Sequence, residues 1–306
     1  MRVLIAGVAV LRRLPDGPIY RLAHLGGVAL SYLLRERRDL VRSNLGHVCR
    51  WLDANDMATP RVRGAARDAG KLETLVRDAF GHWVVAYVES AMAARYDAAT
   101  LRARLELADP AATERSLAAA QPGDAGRIFL GLHFGSVEIA ALYAARIGHV
   151  PVSGPMERVG DPAMREYFEQ VRSALGINLV EMSDAAAELS ACLARGEAVA
   201  IVADRTISGQ GSRVELFGTT ARLPGGGAVL AVETGARVIF LAVRRTRPGH
   251  WLARVEEIEL PTMGSRRERV RALLDAQARA FERFIADAPE QWWTLFFPIW
   301  EQTDAA

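Results

Sequence analysis

From residue 127 onward, short apolar runs alternate with longer stretches whose apolar positions recur every three to four residues. The runs 127–132, 150–153, 177–181, 198–203, 213–217, 238–244 and 251–259 read as strands, and 135–147, 161–175, 184–195, 226–235 and 267–286 read as helices. This alternation predicts the α/β class, with a mixed, largely parallel sheet flanked by helices. Upstream, Leu72, Leu75, Val76, Ala79, Phe80, Trp83, Val84, Tyr87 and Val88 sit at helical spacing and predict a long amphipathic helix over 71–95. Core packing is the first use of that face, and an acyl-chain groove is the other. Residues 52–70 read as a polar loop with a short helix, and Leu101 to Leu107 alternates as a half-exposed strand does. Residues 1–50 predict two or three helices broken at Pro15-Asp-Gly-Pro18, an additional N-terminal helical layer rather than a separate domain. The expected organisation is one domain over 1–306. It comprises N-terminal helices (1–50), the long amphipathic helix (71–95), an α/β core (127–260) and C-terminal helices with an aromatic tail (267–300).

Half of the residues are hydrophobic, so a large core is available and global disorder is excluded. The net charge is only +2, and Lys71 is the only lysine. Arginine forks suit carboxylate and phosphate recognition, although codon usage in a GC-rich genome accounts for the bias equally well. Cys49 and Cys192 stand far apart, which argues against a disulfide framework or a zinc site.

The apolar run Val3–Leu11 is too short to span a bilayer, and Ile19–Leu34 is interrupted by Arg21 and His24. The second run meets Arg35-Glu-Arg-Arg38, a pattern that fits a helix lying in a membrane interface and equally a core helix with a solvated basic end. Near the end, Trp292, Trp293, Phe296, Phe297 and Trp300 crowd together. Such a tail packs back over the core, with a minority of side chains reaching lipid.

The candidate chemistry centres on Gly131-Leu-His-Phe-Gly-Ser-Val-Glu138. His133 falls where a strand hands over to a helix, the place where open α/β sheets bind ligands. Gly131 and Gly135 leave room for close approach. Glu138, in the following helix, is placed to hydrogen-bond one ring nitrogen, leaving the other to take a proton from a hydroxyl. The other five histidines read as structural. Ser136 lacks a nucleophile elbow, and His-x-x-x-x-Glu is not a metalloprotease spacing.

Two further blocks matter: the strand ending at Asp204-Arg205 with a Gly-rich loop after it, and Arg222-Leu-Pro-Gly-Gly-Gly227 opening a helix, where backbone N–H groups can hold an anion or oxyanion. Taken together, His133-x-x-x-x-Glu138, Asp204-Arg205, Phe217-Gly218, Leu223-Pro-Gly225 and Ala231-x-x-Thr234-Gly-Ala236 resemble the lysophospholipid acyltransferase superfamily. Within it they are similar to the bacterial branch of lipid A lauroyl/myristoyl and phosphatidylinositol mannoside acyltransferases. Leu14-Pro15, Arg42-x-Asn44-Leu45, Arg77-x-x-Phe80 with Glu89, and Pro289-Glu-Gln-Trp292 extend the match, which is weakest over 52–70 and 97–125.

The resemblance implies a single acyltransferase domain, peripheral on the cytoplasmic face of the cell membrane. It implies an acyl-CoA or acyl-carrier protein donor and a glycolipid acceptor, with no cofactor, no metal and no nucleic acid partner. His133 and Glu138 take the catalytic positions of the family, and Arg158, Arg172, Asp204, Arg205 and Glu215 fall where it has charged residues around donor and acceptor. The stretch Ser153-Gly-Pro-Met-Glu-Arg158 departs from the aromatic residue or Arg-Pro pair usual there, in a region expected to touch substrate. The acceptor expected is of the phosphatidylinositol mannoside type, then a lipid A precursor. A lipid thioester hydrolase and a non-catalytic, lipid-binding peripheral membrane protein are the alternatives.

Overall fold

The computed structural model describes residues 15–118, 123–156, 176–206 and 211–300. The helix expected over 161–175, the run Val3–Leu11, and the candidates Arg158 and Arg172 lie outside the described residues. The described chain begins with helices α1 (Asp16–Leu33), α2 (Arg35–Ala54), α3 (Pro60–Arg67) and α4 (Ala69–Met92). Their starts are chemically marked: Thr59 and Asp68 cap α3 and α4 through Val62 N and Lys71 N, and Pro60 fills the first turn of α3.

The strand expected over 101–107 is corrected: helix α5 (Ala98–Arg104) comes first, and only β1 (Leu105–Leu107) is extended. Asp97 is the reason. Its carboxylate accepts from Thr100 N at 2.8 Å and nucleates a turn that buries Leu101.

Helix α6 (Pro110–Leu117) leads to β2 (Arg127–Gly131), α7 (Val137–Arg146), β3 (Val152–Met156), β4 (Ile177–Glu181), α8 (Ala185–Ala194) and β5 (Ala198–Val202). After these come β6 (Ser212–Leu216), β7 (Thr219–Leu223), α9 (Gly226–Thr234), β8 (Arg237–Arg247), β9 (His250–Ile258) and α10 (Arg266–Ala286). The main sheet runs β1-β9-β8-β2-β5-β3-β4, parallel throughout except between β8 and β9. This is the mixed, largely parallel sheet that the hydrophobic pattern predicts. Strand β2 is central, and its side chains alternate faces. Ile128 and Leu130 join the cluster formed with α2, α4, α9 and α10, whereas Phe129 packs with Ala144, Val152 and Ile239 on the other side.

The sequence pattern did not give β7. Strands β6 and β7 form a separate antiparallel hairpin whose turn is Phe217-Gly218, with φ of 50° and 71°. Asparagine or aspartate before glycine is the usual signal for such a turn, and a phenylalanine there is strained. Tertiary contacts hold it: Phe217 is fully buried, edge-on to Trp51 at 5.4 Å, and Glu282 Oε1 accepts from its N–H at 2.6 Å. Burial pushes the Glu282 carboxyl upward, and Phe217 N–H pulls it back.

Helix α1 has two faces. Ile19, Tyr20 and Gly27 are buried against α4, while Leu22, Leu25 and Leu33 are 63–76% exposed along one outer stripe, with Tyr32 beside it. The aromatic tail packs inward as expected: Trp292, Leu295 and Phe296 are buried, Asn44 Nδ2 donates to the carbonyls of Leu295 and Phe297 at 2.9 Å each, and Phe297 is exposed.

The approach of α1 to α4 is set by Gly27, where an added Cβ would stand 2.2 Å from the Phe80 carbonyl oxygen, whereas one at exposed Gly26 meets nothing. Gly27→Ala is therefore expected to cost about 2 kcal/mol or more, and Gly26→Ala to stabilise by roughly 0.5–1 kcal/mol. Thermal and urea unfolding of the two variants measures this, and equal effects from both would contradict the packing described.

Candidate active site

Register places His133 and Asp204. Strands β2 and β5 pair in parallel with Gly131 opposite Val202, and the ladder runs on through Ala203 N–H donating to Gly131 O at 3.0 Å. His133 and Asp204 each follow two residues beyond those paired ends, so the two side chains emerge next to each other at the carboxyl edge of the sheet. His133 Nδ1 lies 2.7 Å from Asp204 Oδ1, with the imidazole side chain 30% exposed and the carboxylate fully buried.

Asp204 is itself held from behind. Trp292 Nε1–H and Thr294 Oγ1–H donate to its Oδ2 at 2.8 and 2.7 Å. Burial alone would raise its pKa, but His133, Thr294 and Trp292 outweigh burial and hold the carboxyl below the ordinary aspartate value. An ionised Asp204 only accepts, so Nδ1 carries the proton and Nε2 is the basic atom of the ring.

The turn carrying His133 is tightly constrained. Gly135 adopts φ +53°, and a Cβ there would stand 2.0 Å from the Val243 carbonyl oxygen, so no other residue fits. The turn is tied to the chain's end by Gly135 N–H donating to Gln291 O at 3.0 Å and Trp293 N–H donating to His133 O at 2.8 Å. The Trp293 ring lies 6.1 Å from the imidazole, centroid to centroid, and packs on exposed Tyr87 at 6.3 Å. Ser136 is fully buried, which removes it as a nucleophile.

The structure brings some of the expected site residues together and separates others. Glu138 lies in the first turn of α7, where Ser90 Oγ–H donates to its Oε1 at 2.7 Å; the partner described for His133 Nδ1 is Asp204. Asp204, expected among the charged residues around donor and acceptor, is buried beside the imidazole ring. Arg205 follows it with its guanidinium 4.3 Å from the Phe297 ring centroid. Glu215 is exposed on β6 opposite Thr220, with Glu282 as a charged neighbour. The Gly225–Gly227 turn has a packing reason: a Cβ on Gly227 would meet Leu130 Cδ2 at 2.7 Å. Sequence reasoning assigned Gln291, Trp292 and Thr294 no role in the site. The only signal was the Pro289-Glu-Gln-Trp292 match, which carries no chemistry by itself.

A family model described as "Bacterial lipid A biosynthesis acyltransferase" matches residues 60–301, a span that holds His133, Glu138, Asp204 and Trp292 and begins after α1 and α2. A phosphatidylinositol mannoside acyltransferase of Mycolicibacterium smegmatis is 28% identical over 178 residues, covering 56% of this chain and 57% of that protein. One of Mycobacterium tuberculosis is 27% identical over 183 residues, covering 58% of this chain and 56% of its own length. The chain thus spans a little over half the length of these curated relatives.

Asp204→Asn keeps the size of the side chain but allows it to donate to Nδ1 and stabilise the wrong tautomer. The expected loss of turnover is roughly a thousandfold, with the fold retained by circular dichroism. If this variant kept more than a tenth of the rate, the pairing would be structural only.

Proposed function

The chain belongs to the bacterial lipid A biosynthesis acyltransferase family, and on that premise we propose that it moves a fatty acyl group from a thioester donor to a glycolipid hydroxyl. The donor is acyl-CoA or acyl-carrier protein. The acceptor is of the phosphatidylinositol mannoside type, the substrate class in the names of the two relatives, with a lipid A precursor next. The observation that carries the reading is the half-exposed His133 ring whose Nδ1 faces a buried, ionised carboxylate at 2.7 Å.

The reaction is a single displacement. His133 Nε2 removes the proton of the acceptor hydroxyl as its oxygen attacks the thioester carbonyl carbon, and Asp204 stabilises the imidazolium. The tetrahedral oxyanion collapses, the carbon–sulfur bond breaks, and the imidazolium returns its proton to the departing thiolate. Ester and free thiol leave, and the residues are as they began. Arg205 is the cation next in sequence to the pair and is proposed for the charged rim, with Arg158, Arg172 and Glu215 as further candidates from the family resemblance. Glu138 is proposed as the site's second carboxylate, anchored by Ser90.

Membrane attachment is proposed to be peripheral, on the cytoplasmic face, through α1. No helix among the described residues is long and apolar enough to cross a bilayer. The exposed stripe Leu22, Leu25 and Leu33 runs into Arg35, Arg37 and Arg38, the combination that seats a helix among acyl chains and anionic head groups.

His133→Ala is expected to lower acyl transfer at least about a hundredfold in folded protein. Mass spectrometry of products with and without glycolipid separates transfer from hydrolysis, and near-full transfer by the variant would remove the assignment. Separately, the pair Leu22→Glu with Leu25→Glu is expected to weaken binding to anionic vesicles by about tenfold or more, read by co-sedimentation. Unchanged binding would place the membrane contact elsewhere.

A further inference from the structure

Behind the His133 turn lies a buried polar assembly that the reaction just described does not use. Glu89, in the last turn of α4, and Arg245, on β8, pair at 2.8 Å with side chains 0% and 3% exposed. Arg245 Nη1–H serves two acceptors, Glu89 Oε2 at 2.8 Å and the carbonyl of Gly135 at 2.6 Å, while Nη2–H donates to the His82 carbonyl at 3.2 Å. Glu89 Oε1 accepts from Tyr20 of α1 at 2.8 Å and from Trp251 Nε1–H at 2.6 Å. The backbone of Arg245 is bound in both directions by the Gln291 side chain, at 2.8 and 2.9 Å, and Gln291 O accepts from Gly135 N–H.

From this geometry we infer that Arg245 is a positioning residue for acyl transfer. It fixes the Gly135 carbonyl, and with it the turn that presents His133, and Glu89 fixes Arg245. The inference rests on His133 being the base. The turn from Leu132 to Ser136 lies beyond the β2 ladder and contains a left-handed Gly135, so its orientation depends on the groups that hold its two ends and its inward carbonyl. Gln291 and Val243 hold the N–H groups of Gly135 and Ser136. The inward carbonyl is held by the guanidinium.

Lysine could not do the same work. The guanidinium sets Nη1 on the Glu89 carboxylate and the Gly135 carbonyl while Nη2 holds the His82 carbonyl, three acceptors at fixed angles, whereas an ammonium is a point charge. A buried ion pair contributes little net stability compared with well-packed apolar groups, so its value here lies in the geometry it imposes. A base displaced by about 1 Å from its reacting position can lose on the order of a hundredfold in rate.

Two variants in the full chain test this, assayed with a long-chain acyl-CoA and phosphatidylinositol mannoside in vesicles, with kcat normalised to the folded fraction measured by circular dichroism. Glu89→Gln keeps the shape and the oxygen facing Tyr20 and Trp251 but presents Arg245 with an amide. Arg245→Lys keeps the charge but loses the planar fork that holds Glu89, Gly135 and His82 together. In each, kcat is expected to fall by about tenfold or more while KM for both substrates stays within about twofold. Arg127→Met serves as the control for burial alone. Arg127 is also a buried arginine, donating to Ser116 O at 2.8 Å from the start of β2, and its loss is expected to lower Tm without changing kcat.

The positioning role is overturned by a kcat within about twofold of wild type in Glu89→Gln, by a rise in KM at constant kcat, or by an equal kcat loss in Arg127→Met. Should Glu89→Gln fail to fold, Arg245→Lys is judged by the same criteria. If His133→Ala is inactive while these variants keep their kcat, only the positioning role fails. If His133→Ala is active, the base assignment fails instead.

Discussion

The in-register pairing of β2 with β5 is the constraint on which the site depends. Gly131 stands opposite Val202, and two residues past each, where the ladder ends and backbone direction is free to change, come His133 and Asp204. Parallel neighbours deliver equivalent positions to the same edge at strand spacing, close enough for a direct hydrogen bond. A slip by one residue would send one of the two side chains to the other face of the sheet. Register on this scale is guaranteed by burial: Ile128, Leu130 and Val199 face one core while Phe129 and Ala198 face the other.

Around that pair the protein uses buried polar contacts where an apolar core would be simpler. Asp204 has no access to water and is satisfied by His133, Trp292 and Thr294. Glu89 and Arg245 are satisfied by Tyr20, Trp251, Gly135 and each other. Each carboxylate would be costly to bury alone, and each is surrounded by hydrogen-bond donors. The common feature is that the donors come from elements far apart in sequence, so the polar groups specify how α1, α4, β8, β9 and the chain's end meet the sheet.

Helix α1 belongs to both halves of the proposed function. Its inner face supplies Tyr20 to the buried network and Gly27 to the close crossing with α4. Its outer face presents leucines to solvent, next to a basic start of α2. Asp16, at its first turn, is held by Arg95 and Arg104, which pins the helix to the region after α4. A membrane-seated helix of this kind would stand in direct bonding contact with the interior that supports the turn carrying His133.

Much of the fold was legible in the sequence, because period-two and period-3.6 patterns report burial directly. The long helix at 71–95 and the strands from 127 to 259 lie close to where the pattern puts them, and the position of His133 at a strand end follows from the pattern alone. What failed had local or tertiary causes. The cap at Asp97 turned an alternating stretch into α5, and β7 stayed hidden because Phe217-Gly218 turns only with Trp51 and Glu282 packed around it.

The sequence also led to the expectation of a carboxylate at one nitrogen of the histidine, and proximity along the chain nominated Glu138. Which carboxylate faces Nδ1 was decided by strand order, since Asp204, 71 positions away, becomes the neighbour once β5 lies against β2. Spacing within one segment can be read from residues. The adjacency of two segments is fixed only when the whole core selects one sheet order, and at this site that adjacency set Asp204 against Nδ1.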